Sequence, residues 1–167
     1  DSHLAERMLD DLIAYLRAAL PSLRESTSTL GTELALANAW VDIIKIRRPD
    51  LLAVTSNVTG DALDACMPPT VLLPLIDHAI QVSIASARAD KAIALDAVVA
   101  DGRLRISLTD PGSGFASRIE NDVTARIRER LRAVYGDDAV VAFHDHASGG
   151  SQAVVEVPYE QTNRNHR

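Results

Sequence analysis

The chain has 167 residues, 47% of them hydrophobic and 24% charged, the usage of one globular domain able to bury a core without staples. Seventeen basic residues against 23 acidic ones leave a formal charge of −6, which argues against a nucleic-acid or anionic-membrane surface, since both need a basic patch. A single cysteine, Cys66, excludes a disulfide scaffold and fits a reducing compartment, and aromatics at 4% leave little for a base-stacking platform.

A helical pattern begins almost at residue 1, which reads as part of something longer. Residues 3–20 form an amphipathic helix, with Leu4, Met8, Leu12, Leu16 and Leu20 every four residues and Ile13 and Tyr15 widening the stripe. Pro21 is expected to end it. The run Ser26–Thr29 offers N-cap chemistry to a second helix, whose stripe is Leu30, Leu34, Ala37, Val41 and Ile44, with Trp40, Ile43 and Ile46 beside it. The pair makes a helical hairpin. Its stripes pack either on the rest of this chain alone or also on a second copy, and the pattern leaves both open. Arg47–Asp50 is a turn, Leu51–Val58 a strand and Asp61–Met67 a loop. From Val71 to about Ser86 a helix presents Leu72, Leu75, Ile76, Ala79, Ile80 and Ser83 on one face, with Pro74 tolerated in its first turn.

A hairpin follows. Ile93, Leu95, Ala97 and Val99 alternate, Asp101-Gly102 turns, and Leu104, Ile106 and Leu108 alternate back. Residues 120–135 read as a helix with Val123, Ile127, Leu131 and Val134 inward and Gly136 as its stop. Strands Ala139–Phe143 and Gln152–Val157 flank Gly149-Gly150, and the polar tail 160–167 is expected to be disordered. Paired strands with tight turns predict an α+β chain: a two-layer α/β sandwich, a mixed sheet with helices on one face, preceded by the helical hairpin. No run reaches the ~18 apolar residues of a membrane span.

Three clusters bear on chemistry. Asp110-Pro111-Gly112-Ser113-Gly114 follows a strand, and its glycines let the backbone approach a ligand while Asp110 accepts from an exocyclic amine. A plain Gly/Pro turn is the commoner reason for such a cluster. Asp77 and His78 are neighbours in an apolar helix, about 100° apart, so both could border one cleft or merely graze solvent. His144-Asp145-His146 has a spacing compatible with a metal, but an exposed turn fits better for want of a third ligand. Arg126, Arg128, Arg130 and Arg132 read as a solvated helix face. Ser113 lies in an imperfect GxSxG match, broken by Ala116.

Taken in order, five stretches resemble the C-terminal part of LytS/YehU-type sensor histidine kinases, with an ATPase domain of the gyrase–MutL–histidine-kinase type. Ala5–Leu20 looks like the helix after the phosphoacceptor helix. Thr29–Arg47, TLGTELALANAWVDIIKIR, resembles "TL..EL.L...Y..I...R". Pro68–Ser83, PPTVLLPLIDHAIQVS, resembles the nucleotide-site helix "PP..L.PLVENAIKHG". Asp110–Gly114 resembles the "D.G.G" adenine-side loop. Ile127–Gly136, with Ser148–Pro158, resembles "RERL...YG" and the "GG" closing strand.

The resemblance implies a helical dimerisation and phosphotransfer remnant over 1–46, an ATPase domain over 47–159 and a tail over 160–167. It implies ATP and Mg²⁺ as cofactors, with Asp110, Gly112, Gly114, Asp77 and His78 at the nucleotide. Asp77 stands where the family has a Glu that orients or deprotonates. His78 stands where an Asn oxygen ligates Mg²⁺, and imidazole is a poor substitute for a hard oxygen ligand. Gln81, Val82 and Ser83 replace further polar positions. The second glycine box is missing from residues 116–126, so the lid it forms in the family is altered. None of His3, His78, His144, His146 and His166 sits in the family's "PHFLFN" phosphoacceptor context, so no phosphoacceptor is expected in this chain.

The expectation is therefore a sensor histidine kinase region with a degenerate ATP site that binds Mg-ATP weakly or not at all. Two alternatives stand beside it: an active divergent kinase passing the γ-phosphoryl to an upstream His and on to a response regulator, and a non-catalytic dimeric module controlling such a regulator. The implied partners are a response regulator and a second copy bound through residues 3–46, with no nucleic acid. The resemblance also implies a cytoplasmic domain of a parent anchored in the inner membrane by segments outside this chain.

Overall fold

The computed structural model describes residues 2–22, 26–47, 53–85, 92–110, 122–145 and 150–161. The strand residues 51–52 and the tail 162–167 fall outside these, as do Gly112, Gly114, His146 and Gly149.

Two helices open the chain, α1 (Ser2–Ser22) and α2 (Leu30–Arg47). α1 continues through Pro21 instead of stopping before it. Between them β1 (Ser28–Thr29) leads into α2, and the Thr29 hydroxyl accepts the Thr32 N–H at 3.1 Å, the expected N-cap. The two helices differ sharply. α2 buries Leu30, Leu36, Ala37 and Val41 and packs Leu34 and Ile44 against the core. α1 buries nothing among residues 3–20, and Leu4, Met8, Leu12, Leu16 and Leu20 stay 44–53% exposed. The α1 stripe is therefore left largely uncovered by its own chain. Its half-buried residues are Asp11, Tyr15, Ala18 and Ala19, the helical spacing of one face against α2.

β2 (Ala53–Val58) follows, then α3 (Gly60–Leu63) and β3 (Cys66–Met67). The sequence suggested a loop over Asp61–Met67. These elements are too short for hydrophobic periodicity to reveal, and β3 is fixed by antiparallel pairing with β1 far away in sequence. α4 (Leu72–Ala85) buries the face read from the sequence, from Leu72 through Ser83.

β4 (Ala92–Ala100) and β5 (Arg103–Asp110) form the hairpin. Asp101 and Gly102 both take positive φ, 52° and 71°, as a type I′ turn requires. α5 (Asp122–Tyr135) buries Thr124, Ile127 and Leu131. Val134 is exposed, against expectation, because the buried face turns through Leu131 towards the half-buried Tyr135. Gly136 ends α5 at φ 60° and opens a 3-10 turn, Gly136–Asp138. β6 (Val140–Asp145) and β7 (Ser151–Pro158) complete a five-stranded sheet of order β2-β4-β5-β7-β6. β2 pairs with β4 in parallel and the other pairs are antiparallel, so the sheet is mixed as expected.

The core lies between this sheet and the helices. Ile93, Leu95, Leu104, Ile106, Leu108, Val155 and Val157 meet Leu75, Ile76, Ile80 and Leu131 there. On the opposite sheet face Asp96, Val98 and Arg105 are exposed. Alternation along β4 and β5 thus divides a covered face from a wet one, the two-layer sandwich that the pattern predicted.

Candidate functional site

The candidate site centres on α4, and its geometry begins with how that helix is started. Thr70 has φ 60°, uncommon for a β-branched residue. Glu33, fully buried on α2, reaches this turn. Its Oε1 accepts the Thr70 N–H at 2.9 Å, and Oε2 accepts the N–H groups of Val71 and Leu72 at 2.9 and 3.2 Å. The first N–H groups of a helix have no intrahelical acceptor and carry partial positive charge, so a carboxylate there satisfies both demands. Sequence reading passed over Glu33. The available signal was an acid inside the apolar run Leu30–Leu36.

The same loop is held from the other side. Arg130 donates to the Pro69 carbonyl at 2.6 Å, and the Tyr135 hydroxyl donates to the Cys66 carbonyl at 3.0 Å. Burial, reinforced by nearby Glu160 and Cys66, pushes the Tyr135 hydroxyl up to about 12, which keeps it a neutral donor. The arginines expected on a solvated face are indeed exposed, but some also make contacts: Arg130 here, Arg128, whose guanidinium lies 5.3 Å from the Phe143 ring centre, and Arg132, whose Nε lies 3.9 Å from Asp137 Oδ1.

Asp77 and His78 lie midway along α4, both half-buried. The Trp40 indole N–H on α2 donates to Asp77 Oδ1 at 2.9 Å. On its far side the Trp40 ring meets Tyr15 of α1, with centres 5.7 Å apart and planes tilted by 48°. Burial lowers the pKa of His78 below 6.5, with the Asp77 charge working against it. His78 is thus a half-buried imidazole that tends to stay neutral.

Asp110, buried at the end of β5, stands opposite the buried Ser151 of β7. α4 packs across β5, the strand that ends in Asp110. Ser151 was not anticipated; a polar residue straight after Gly149-Gly150 was its signal in the sequence. Gly112 and Gly114 lie outside the described residues. His144 and Asp145 are exposed at the end of strand β6 instead of in a turn.

Where the resemblance implies an amide oxygen, His78 offers ring nitrogens, which suit Mg²⁺ poorly, and one oxygen of the neighbouring Asp77 accepts from Trp40. Among the described residues no cluster of three or more His, Cys, Asp or Glu is placed to hold a metal ion. A groove of about 510 Å³ runs between the start of α4 and α5, lined by residues including Pro74, Val123, Ile127 and Arg130. Asp77, His78 and Asp110 are not among the residues that line it.

The sandwich with this site helix defines the first level of identification: the fold of a histidine kinase catalytic domain. The catalytic domain of histidine kinase ThkA superposes with a TM-score of 0.59 over 81% of this chain and 97% of its own, at 11% identity. ThkA in complex with the response regulator protein TrrA gives a TM-score of 0.57, 14% identity, and coverage of 95% and 49%. No family model matches the chain. The particular relatives are LytS sensor proteins. The one from Oceanobacillus iheyensis is 26% identical over 175 residues, covering 95% of this chain and 30% of its own. The chain spans about 30% of the length of the curated relatives it matches. The chain is thus similar to LytS sensor proteins over nearly its whole length, as its motifs anticipated.

Proposed function

We propose that the chain is the ATP-binding-type region of a two-component sensor histidine kinase whose nucleotide site is degenerate, taking Mg-ATP weakly or not at all. His78 carries the reading. A half-buried imidazole, its pKa lowered by burial, replaces a hard oxygen ligand. Support comes from Asp77, whose Oδ1 is engaged by Trp40, and from the absence of glycine across residues 116–126. Asp110 with Ser151 is the part that still suits an adenine amine. Isothermal titration with Mg-ATP, compared with ATP in chelator, tests it. The expected result is no saturation at micromolar nucleotide and no gain from Mg²⁺. Micromolar binding, with phosphoryl transfer in the full-length protein, overturns it in favour of an active divergent kinase. His78→Asn alone is expected not to restore tight binding, because the lid sequence also differs.

The uncovered stripe of α1 favours a compatible second reading, a dimeric module that governs a response regulator. In this reading residues 1–46 supply the dimerisation and phosphotransfer side and 47–159 the ATPase side, with α2 serving both through its buried face. A second copy covers the large apolar side chains of α1, which are 41–58% exposed. Sedimentation tests this, and a strict monomer at high concentration counts against it. Among the described residues no helix is long and apolar enough to cross a membrane. In this proposal a cytoplasmic placement beneath an inner-membrane anchor comes from sequence outside the chain.

A further inference from the structure

We propose that Trp40 is a positioning residue that couples α1 to Asp77, so that displacement of α1 is read at the candidate nucleotide helix. The indole is held at two ends. Its N–H, a donor only, goes to Asp77 Oδ1 at 2.9 Å, and its ring rests against Tyr15 at a centre separation inside the favoured aromatic range.

The three bodies joined through Trp40 are unequally anchored. α2 is fixed, because Ala37 and Val41, flanking Trp40, are buried in the core and Glu33 ties α2 to the start of α4. α4 is fixed by its buried face from Leu72 to Ser83. α1 is the loose member. None of its residues 3–20 is buried, and Tyr15 is the one large side chain among the four that are half-buried. A slide or rotation of α1 therefore acts first on the Tyr15–Trp40 contact. Trp40 can answer by rotating its side chain, since both backbones beneath it are held. That rotation loosens Asp77 Oδ1 and frees the carboxylate to turn along α4, towards the side that carries His78.

That the coupling ends on a nucleotide site rests on the function proposed above. The coupling itself does not need a nucleotide to be measured. Trp40 is the only tryptophan of the chain, so a single indole N–H resonance in a ¹H–¹⁵N spectrum reports the bond. Its solvent-exchange rate is the readout. Asp77→Ala is expected to raise it about tenfold, the order set by losing one hydrogen bond, while Asp77→Asn keeps an oxygen acceptor and stays near the parent rate.

The deciding variant is Tyr15→Ala, which alters neither partner of the bond. It is expected to raise the rate about fivefold, the order of one lost aromatic contact. Tyr15→Phe, which keeps the ring, restores it. Arg17→Ala, at an exposed polar side chain of α1 outside the apolar stripe, leaves it unchanged and excludes a general loosening of the helix. Helix content by circular dichroism shows that α1 persists in each variant. An indole exchange rate in Tyr15→Ala equal to the parent's overturns the proposal, as does an equal effect of Arg17→Ala. If the Tyr15→Ala effect is seen and no nucleotide binds under any condition, the coupling stands and only the nucleotide reading falls.

Discussion

Two carboxylates lie between α2 and α4, and the fold holds them in opposite ways. Glu33 is fully buried and accepts three backbone N–H groups whose positions are set by the path of the chain. Asp77 is half-buried and accepts from an N–H on a rotatable side chain. The contrast separates an acid on which folding depends from one that can be redirected. Backbone donors cannot follow a moving acceptor, whereas an indole can.

Substitution at Glu33 tests the first half of that contrast and carries the largest expected effect. Glu33→Ala strips the acceptors from three N–H groups at the start of α4. At ~1–3 kcal/mol per unsatisfied buried group, with some relief from water, the loss should be roughly 3–5 kcal/mol in urea unfolding. Glu33→Gln keeps one oxygen but turns an NH₂ towards donors, and about 1–3 kcal/mol is expected. A loss below ~1 kcal/mol for Glu33→Ala would erase the distinction between the two acids.

Next in size is Trp40→Phe, which keeps an aromatic ring against Tyr15 and removes the N–H to Asp77. About 1 kcal/mol is expected, one net hydrogen bond. Asp77→Asn should cost less than ~0.5 kcal/mol, because an amide oxygen can still accept the indole N–H. If Asp77→Asn proved as damaging as Glu33→Gln, Asp77 would belong with the structural acids and the coupling through Trp40 would lose its mobile end.

The contrast also explains what the sequence made legible. Long elements with a clean period were readable: the buried face of α4, the Asp-Gly hairpin, and the mixed sheet that the strand pairs implied. The likeness to LytS-type kinases was readable from a series of short motifs, and similarity to LytS sensor proteins over nearly the whole chain agrees with it. Features fixed by long-range partners were not. β3 exists through pairing with β1, and Glu33 acquires its role only when α2 meets the Thr70 turn 37 residues later. Period alone also failed to rank the two opening helices. Both carry apolar stripes, yet α2 packs into the core and α1 does not, because nothing in a helical repeat says which neighbour will cover it. Trp40 read as a flank of the α2 stripe and is instead the bridge from α1 to Asp77.

The smallest expected effect is a pH dependence at His78, and it measures whether the Asp77 charge still reaches along α4. Burial lowers the His78 pKa below 6.5 in the folded chain, while the Asp77 carboxylate opposes the shift. In the unfolded chain the imidazole takes up a proton near 6.5. As pH falls through that value the unfolded state binds more protons, so the His78 contribution, complete above 6.5, is progressively lost until the folded pKa is passed. Unfolding followed from pH 7 down to about 5 should therefore show stability declining more steeply in the parent than in His78→Asn. Asp77→Asn removes the opposing charge, widens the gap between the folded and unfolded values, and should extend the decline to lower pH. Parallel slopes in the parent and His78→Asn would mean that burial leaves His78 free to charge. An unchanged profile in Asp77→Asn would mean that the carboxylate is turned wholly towards Trp40 and no longer acts on its neighbour.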